Sequence, residues 1–143
     1  MNADPERDIP DIADIHLALA RIRSQVRRTP VINDPDLDET LGCRLYCKLE
    51  NMQRAGAFKF RGASNAVLML EEAGEPGDVA THSSGNHGAA LALAAKMAGR
   101  TAHVVMPDNS SPIKMEAVRR FGGRVHLCEA THEGRQAGLE RLV

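Results

Sequence analysis

From residue 79 onward the sequence alternates short strand-like runs with longer helical patterns, and this alternation constrains the fold most. Val79-Ala80-Thr81-His82 reads as a strand, 86–98 as a helix, 102–106 as a strand, 111–121 as a helix and 125–128 as a strand. A last helix starts at His132. Strand, helix, strand, helix, strand at this spacing predicts right-handed crossovers and a parallel sheet, hence an α/β fold. Helix 111–121 is expected to bury Ile113, Ala117, Val118 and Phe121. The last helix has no C-cap glycine before Leu142-Val143 and is expected to run on unfinished.

The first half is less regular. Ile12, Ile15, Leu19, Ile22 and Val26 recur at helical steps and predict an amphipathic helix over 11–27, stopped by Thr29-Pro30. Asp34-Pro35-Asp36 marks a turn or a short helix start. Leu45, Cys47 and Leu49 alternate with Arg44, Tyr46 and Lys48, as in a half-buried strand. Another helix follows Lys59, with Ala63, Ala66, Val67 and Leu70 on one face. Gly74-Glu75-Pro76-Gly77 breaks the chain and divides it into 1–75 and 76–143. One clear strand is too little to cover both helix faces of the first part. They are expected to stay exposed, and the chain to be part of a larger fold.

Composition removes several function classes. The 143 residues carry a net charge of −1, which gives no footprint for nucleic acid or a membrane surface. Three Phe, one Tyr and no Trp provide little for stacking bases. The longest apolar run, 89–95, is far short of a membrane span. The polar, acidic start does not resemble a secretory signal. An odd count of three cysteines suggests reduced thiols and a cytoplasmic protein. Cys43 and Cys47 have no second pair to complete a metal site, so no metal is expected.

Two loops carry the chemistry. In Gly56-Ala57-Phe58-Lys59-Phe60-Arg61-Gly62-Ala63 a single lysine sits among apolar and small neighbours at a helix start. An ammonium partly removed from water loses charge, and the free amine can condense with an aldehyde cofactor. The bland alternative is a solvated lysine beside two phenylalanines. In Thr81-His82-Ser83-Ser84-Gly85-Asn86-His87-Gly88 a loop follows a strand and opens a helix, the place where parallel sheets bind ligands. Its free amides suit a carboxylate or phosphate, although any Ser-Gly-Asn can form a plain N-cap turn. A serine hydrolase is disfavoured: the first glycine of Gly-x-Ser-x-Gly is missing, and no acid is placed to orient a histidine. No Gly-x-Gly-x-x-Gly follows any strand, so a dinucleotide site has no support beyond the fold.

Taken together, Lys48-Leu49-Glu50-Asn51-Met52-Gln53-Arg54-Ala55-Gly56-Ala57-Phe58-Lys59-Phe60-Arg61-Gly62-Ala63 and the Thr81 to Gly88 segment resemble the two signatures of the serine/threonine dehydratase and serine racemase family. The similarity extends from about Ile9 to the end and includes Thr29-Pro30 and Val104-Val105-Met106-Pro107. It implies a fold type II enzyme with a three-layer, tryptophan-synthase-beta-like parallel sheet and pyridoxal 5'-phosphate (PLP) as cofactor. Lys59 would hold the cofactor covalently and later act as base at the substrate α-carbon. Phe58 would lie beside the cofactor ring, and Asn86 would hydrogen-bond its phenolic oxygen. Ser83, Ser84, Gly85, Asn86 and His87 would clasp the substrate carboxylate, with Ser84 opposite Lys59 as a second acid/base.

The implied reaction is loss of water and ammonia from serine, threonine or hydroxyaspartate to give a 2-keto acid, with racemisation as an alternative. The implied partners are a small amino-acid substrate and, for the full-length parent, a second copy in a homodimer; neither nucleic acid nor membrane is implied. By the same resemblance 1–75 would begin the large, lysine-bearing domain, most of which is missing, and 76–143 would be a small domain lacking its last strand. The glycine-rich phosphate loop would lie outside this sequence. Two other readings stay open: a non-catalytic fragment, and a small anion-binding α/β module.

Overall fold

The computed structural model describes residues 9–142. Helix α1 (Ile12–Ile22) begins in a capping box: the Asp11 carboxylate accepts from Ala13 N and Asp14 N, and Asp14 accepts from Asp11 N. It stops at Ile22, short of the expected Arg27, because Gln25 N and Val26 N both turn back to the Ile22 carbonyl. Strand β1 (Val31–Asn33) pairs antiparallel with β2 (Tyr46–Lys48), with Ile32 opposite Cys47. Leu45, Cys47 and Leu49 are half-buried while Tyr46 and Lys48 are exposed, as the alternation predicted. Helix α2 (Pro35–Leu41) lies between the two strands, capped by Asp34 and closed by Gly42 at φ 66°. Two single-turn 3-10 segments, Glu50–Met52 and Arg54–Gly56, lead into α3 (Lys59–Glu72).

The second half forms the predicted sheet. Strands β3 (Val79–His82), β4 (Ala102–Pro107) and β5 (Arg124–Cys128) are parallel, in the order β3-β4-β5. Neighbouring residues of β4 face opposite layers. Val104 lies under α4 (Asn86–Met97), where a Cβ on Gly88 would come within 2.8 Å of it. Val105 lies under α6 (His132–Glu140), where a Cβ on Gly138 would come within 2.7 Å. Helix α5 (Pro112–Arg120) shares the α4 side, since a Cβ on Gly123 would meet both Ala92 and Val118. The result is helix, sheet, helix: three layers.

Helix α6 runs from His132 to Glu140, and Arg141 N donates to the Ala137 and Leu139 carbonyls. Three further expectations are corrected. Ile113 is 81% exposed rather than buried. Val118 orients α5, and Ile113 lies roughly 140° around the helix from it. Of the α3 face, Ala63 and Val67 are buried and Leu70 is half-buried, because they lie against the alanine-rich side of α4, while Ala66 stays exposed as expected. The core therefore runs across the Gly74–Gly77 break, joining Phe60, Ala63 and Val67 to Ala90, Ala94, Val104 and Met106. The α1 face is exposed as expected: Ile12, Ile15 and Leu19 lie open, and only Ile22 is buried. The third correction concerns Lys59 and belongs to the site.

Candidate active site

Helices α3 and α4 lie side by side and run in the same direction. Their first turns share one cleft of about 320 Å³, lined by Phe58, Lys59, Arg61, Gly62, Ala63 and His87. Lys59 is the first residue of α3, and its Nζ stands 5.2 Å from the Phe58 ring centroid. Lys59 is exposed and Phe58 is 59% exposed. The expectation of a lysine partly withdrawn from water is therefore not met. The first turn of α3 sends Phe60 and Ala63 inward and leaves Lys59 facing out, and among the described residues nothing covers it.

The 83–88 loop ends β3 and opens α4. The Ser83 hydroxyl accepts from Gly85 N at 3.3 Å and from Gly88 N at 3.1 Å. It therefore caps the helix and orders the loop from within, so its oxygen is already engaged. The backbone N–H groups of Ser84, Asn86 and His87 have no acceptor among the described residues. The Ser84 and Asn86 side chains are exposed beside them. Free donors at a helix start suit an anion. His87 is half-buried, and its pKa falls below the ordinary 6.5, first through burial and then through the charges of Lys59 and His82. The shift favours the neutral ring, which can donate one hydrogen bond. Gly88 has a steric reason to be glycine: a side chain there would strike Val104.

Behind Lys59 a polar cluster holds the loop that delivers it. Arg61 grips Glu50 with two hydrogen bonds, at 2.9 and 2.7 Å, and the Thr29 hydroxyl donates to the same carboxylate. The buried Gln53 side chain accepts from Arg27 N at 2.9 Å and donates to Arg27 O at 2.8 Å. The Arg61 hydrogen bonds, assisted by Thr29 and the charges of Arg61 and Lys48, outweigh burial and lower the Glu50 pKa to about 2. A folded-state pKa below the unfolded one means stability that is complete above about pH 4.5 and is lost as pH falls toward about 2. Glu50→Gln is expected to lower stability at neutral pH and to flatten this acid limb in urea-midpoint titrations. Parallel limbs in the two proteins would show that Glu50 is not its source.

A second cleft, of about 330 Å³, lies where the carboxyl ends of the strands meet α5 and α6. Ser84 lines it together with Asn109, Ser110, Lys114 and Arg135. Ser110 Oγ and Arg135 Nε are buried there without a protein partner. Sequence reasoning missed these residues, which come from separate loops and share no motif. Only the convergence of the strand ends identifies them. The structure thus brings Phe58, Lys59 and His87 together in one cleft and places Ser84 on the other.

An exposed amine, an aromatic ring beside it and a row of free N–H donors thus meet at the starts of α3 and α4 in an α/β frame. Residues 22–143 match the family described as "Pyridoxal-phosphate dependent enzyme", and the chain belongs to it. It is 45% identical to a serine racemase of Arabidopsis thaliana over all of its length and 43% of that protein's. It is 44% identical to a beta-hydroxyaspartate dehydratase of Paracoccus denitrificans, covering 94% of this chain and 42% of the other. A PLP-dependent aspartate racemase structure superposes with a TM-score of 0.88 at 40% identity, over 94% of this chain and 44% of that one. The chain thus spans about two fifths of the relatives it matches. No described helix is long and apolar enough to cross a membrane.

Proposed function

We propose that this chain carries the cofactor lysine and the substrate loop of a PLP-dependent ammonia-lyase. Its substrates are L-serine, L-threonine or 3-hydroxyaspartate, and its products a 2-keto acid and ammonia. Racemisation at the same carbon is the alternative outcome. The observation that supports this most is the meeting of Lys59 with the 83–88 loop at the paired N-termini of α3 and α4. The residues present fit the aldehyde end of PLP: a reachable amine, the Phe58 ring, and the Asn86 amide. When bound, PLP supplies an electron sink for negative charge at the substrate α-carbon.

The remaining steps fall to the chain itself. The N–H groups of Ser84, Asn86 and His87 hold the substrate carboxylate. The Lys59 nitrogen, once free, takes the α-proton. In elimination the β-hydroxyl leaves as water; a water then returns, and ammonia is released. In racemisation the Ser84 hydroxyl gives a proton to the opposite face. Residues 1–75 form the start of the lysine-bearing domain and 76–143 the substrate-loop domain. The full-length enzyme works in the cytoplasm as a homodimer.

The test is to incubate the full-length protein and PLP with each amino acid, assaying keto acid, ammonia and the D-enantiomer. Release from at least one substrate is expected. A PLP-loaded protein that yields none of the three products would refute the reading. The exposure of Lys59 and Phe58 favours a second reading for the 143 residues in isolation, a non-catalytic fragment. Turnover by that isolated chain would exclude it.

A further inference from the structure

The connector between α3 and β3 contains two glycines in the left-handed region, Gly74 at φ 69° and Gly77 at φ 97°. Such residues turn at little cost and also swing at little cost. Among the described residues one side chain holds the connector from outside. Arg100, just past the end of α4 and 11% exposed, donates through Nε to the Glu71 carboxylate in the last turn of α3. One terminal nitrogen donates to the Gly77 carbonyl at 2.8 Å, and the other to the Glu75 carbonyl. Asp78 fastens the far side, accepting from Thr101 N at 2.8 Å. A planar guanidinium can meet three divergent acceptors at once, and an ammonium is poorly shaped to do so.

The clamp matters because of what lies at the other end. Helix α3 has 14 residues, so Arg100 acts roughly 20 Å from Lys59. At the Lys59 end Phe60 anchors α3 in the shared core, and beyond it the contact with α4 is small: Ala63 and Val67 against a row of buried alanines. Shallow ridges interlock less than deep ones, so this stretch leaves the tilt of α3 about the Phe60 anchor to be set at the far end of the helix. We propose that Arg100 is a positioning residue: by locking the 74–77 connector it fixes how α3 lies along α4. It thereby sets the spacing between Lys59 and the 83–88 loop at the opposite ends. This rests on the reading of those two segments as one site.

The test compares the full-length protein with Arg100→Met, which keeps the stem and loses the donors, and Arg100→Lys, which keeps the charge and loses the fork. Amide exchange is followed at 74–78 and at 83–88, and His87 is titrated by NMR. Both variants are expected to exchange about tenfold faster at the connector and also at the distant loop. His87 should titrate closer to its ordinary value as the cleft loosens, and PLP affinity should fall about tenfold. If Arg100→Met unfolds the protein, Glu71→Gln removes the charged acceptor alone and should shift each readout the same way, by less. Faster exchange confined to the connector, with the loop and His87 unchanged, would show a local staple and overturn the proposal. Failure of the unmodified protein to bind PLP would count against the site reading, while exchange and the His87 titration still judge the clamp.

Discussion

Lys59→Ala is expected to abolish the borohydride-stable attachment of PLP and to reduce turnover by at least about a thousandfold. The reason is that no other lysine among the described residues can take its place. Lys48 Nζ is committed to the Thr29 carbonyl at 2.6 Å, behind the site. Lys96 lies at the far end of α4, and Lys114 lines the second cleft. The Phe58–His87 cleft therefore holds a single primary amine. Peptide mass mapping after reduction should place the adduct on the Lys59 peptide in the wild type and nowhere in the variant. Lys59→Arg should fail equally, since it keeps the charge but not the nucleophile. A companion signal does not depend on cofactor: His87 should titrate higher in Lys59→Ala, because one of the charges lowering its pKa has gone. Retained adduct on another lysine with turnover intact would remove Lys59 from the mechanism.

Phe60→Ala is expected to cost about 3–5 kcal/mol, the largest stability loss of any single substitution considered. Phe60 is the largest fully buried side chain and sits where α3, α4 and the sheet share one core. The surrounding alanines are too short to collapse into the space, so most of the cavity should persist. The effect reaches function because Phe60 follows Lys59 directly. Its burial pins the first turn of α3 and so aims the amine. Urea or thermal midpoints measure the loss, and Phe60→Leu should recover much of it. A change below about 1 kcal/mol would mean that the α3–α4 contact is not a true core.

Much of the fold was legible because its second half is periodic. The five elements between residues 79 and 128 lie within a residue or so of where the pattern placed them. Strand β1 escaped because three residues are too few to show alternation. The early end of α1 escaped because Arg23 to Arg27 have ordinary helix propensity, and the stop comes from a local turn. The candidate site splits along the same line. The placement of Lys59 and the 83–88 loop at helix starts was readable, because a helix start carries local signals. The exposure of Lys59 was not, because it depends on what stands opposite the cleft, which no local pattern records. Asn109, Ser110 and Arg135 were invisible for a similar reason: their proximity is a product of topology.

Ser83 spends its hydroxyl on its own loop, and this bears on the thermodynamics of any anion that binds there. The ordering of the seat is completed when the chain folds, so an arriving carboxylate meets donors that are already aligned. Little conformational entropy remains to be lost on association, and affinity is governed by the exchange of water for N–H contacts. Ser83→Ala should therefore act mainly on the entropy of binding, leaving the donors in place but free to wander before the ligand arrives.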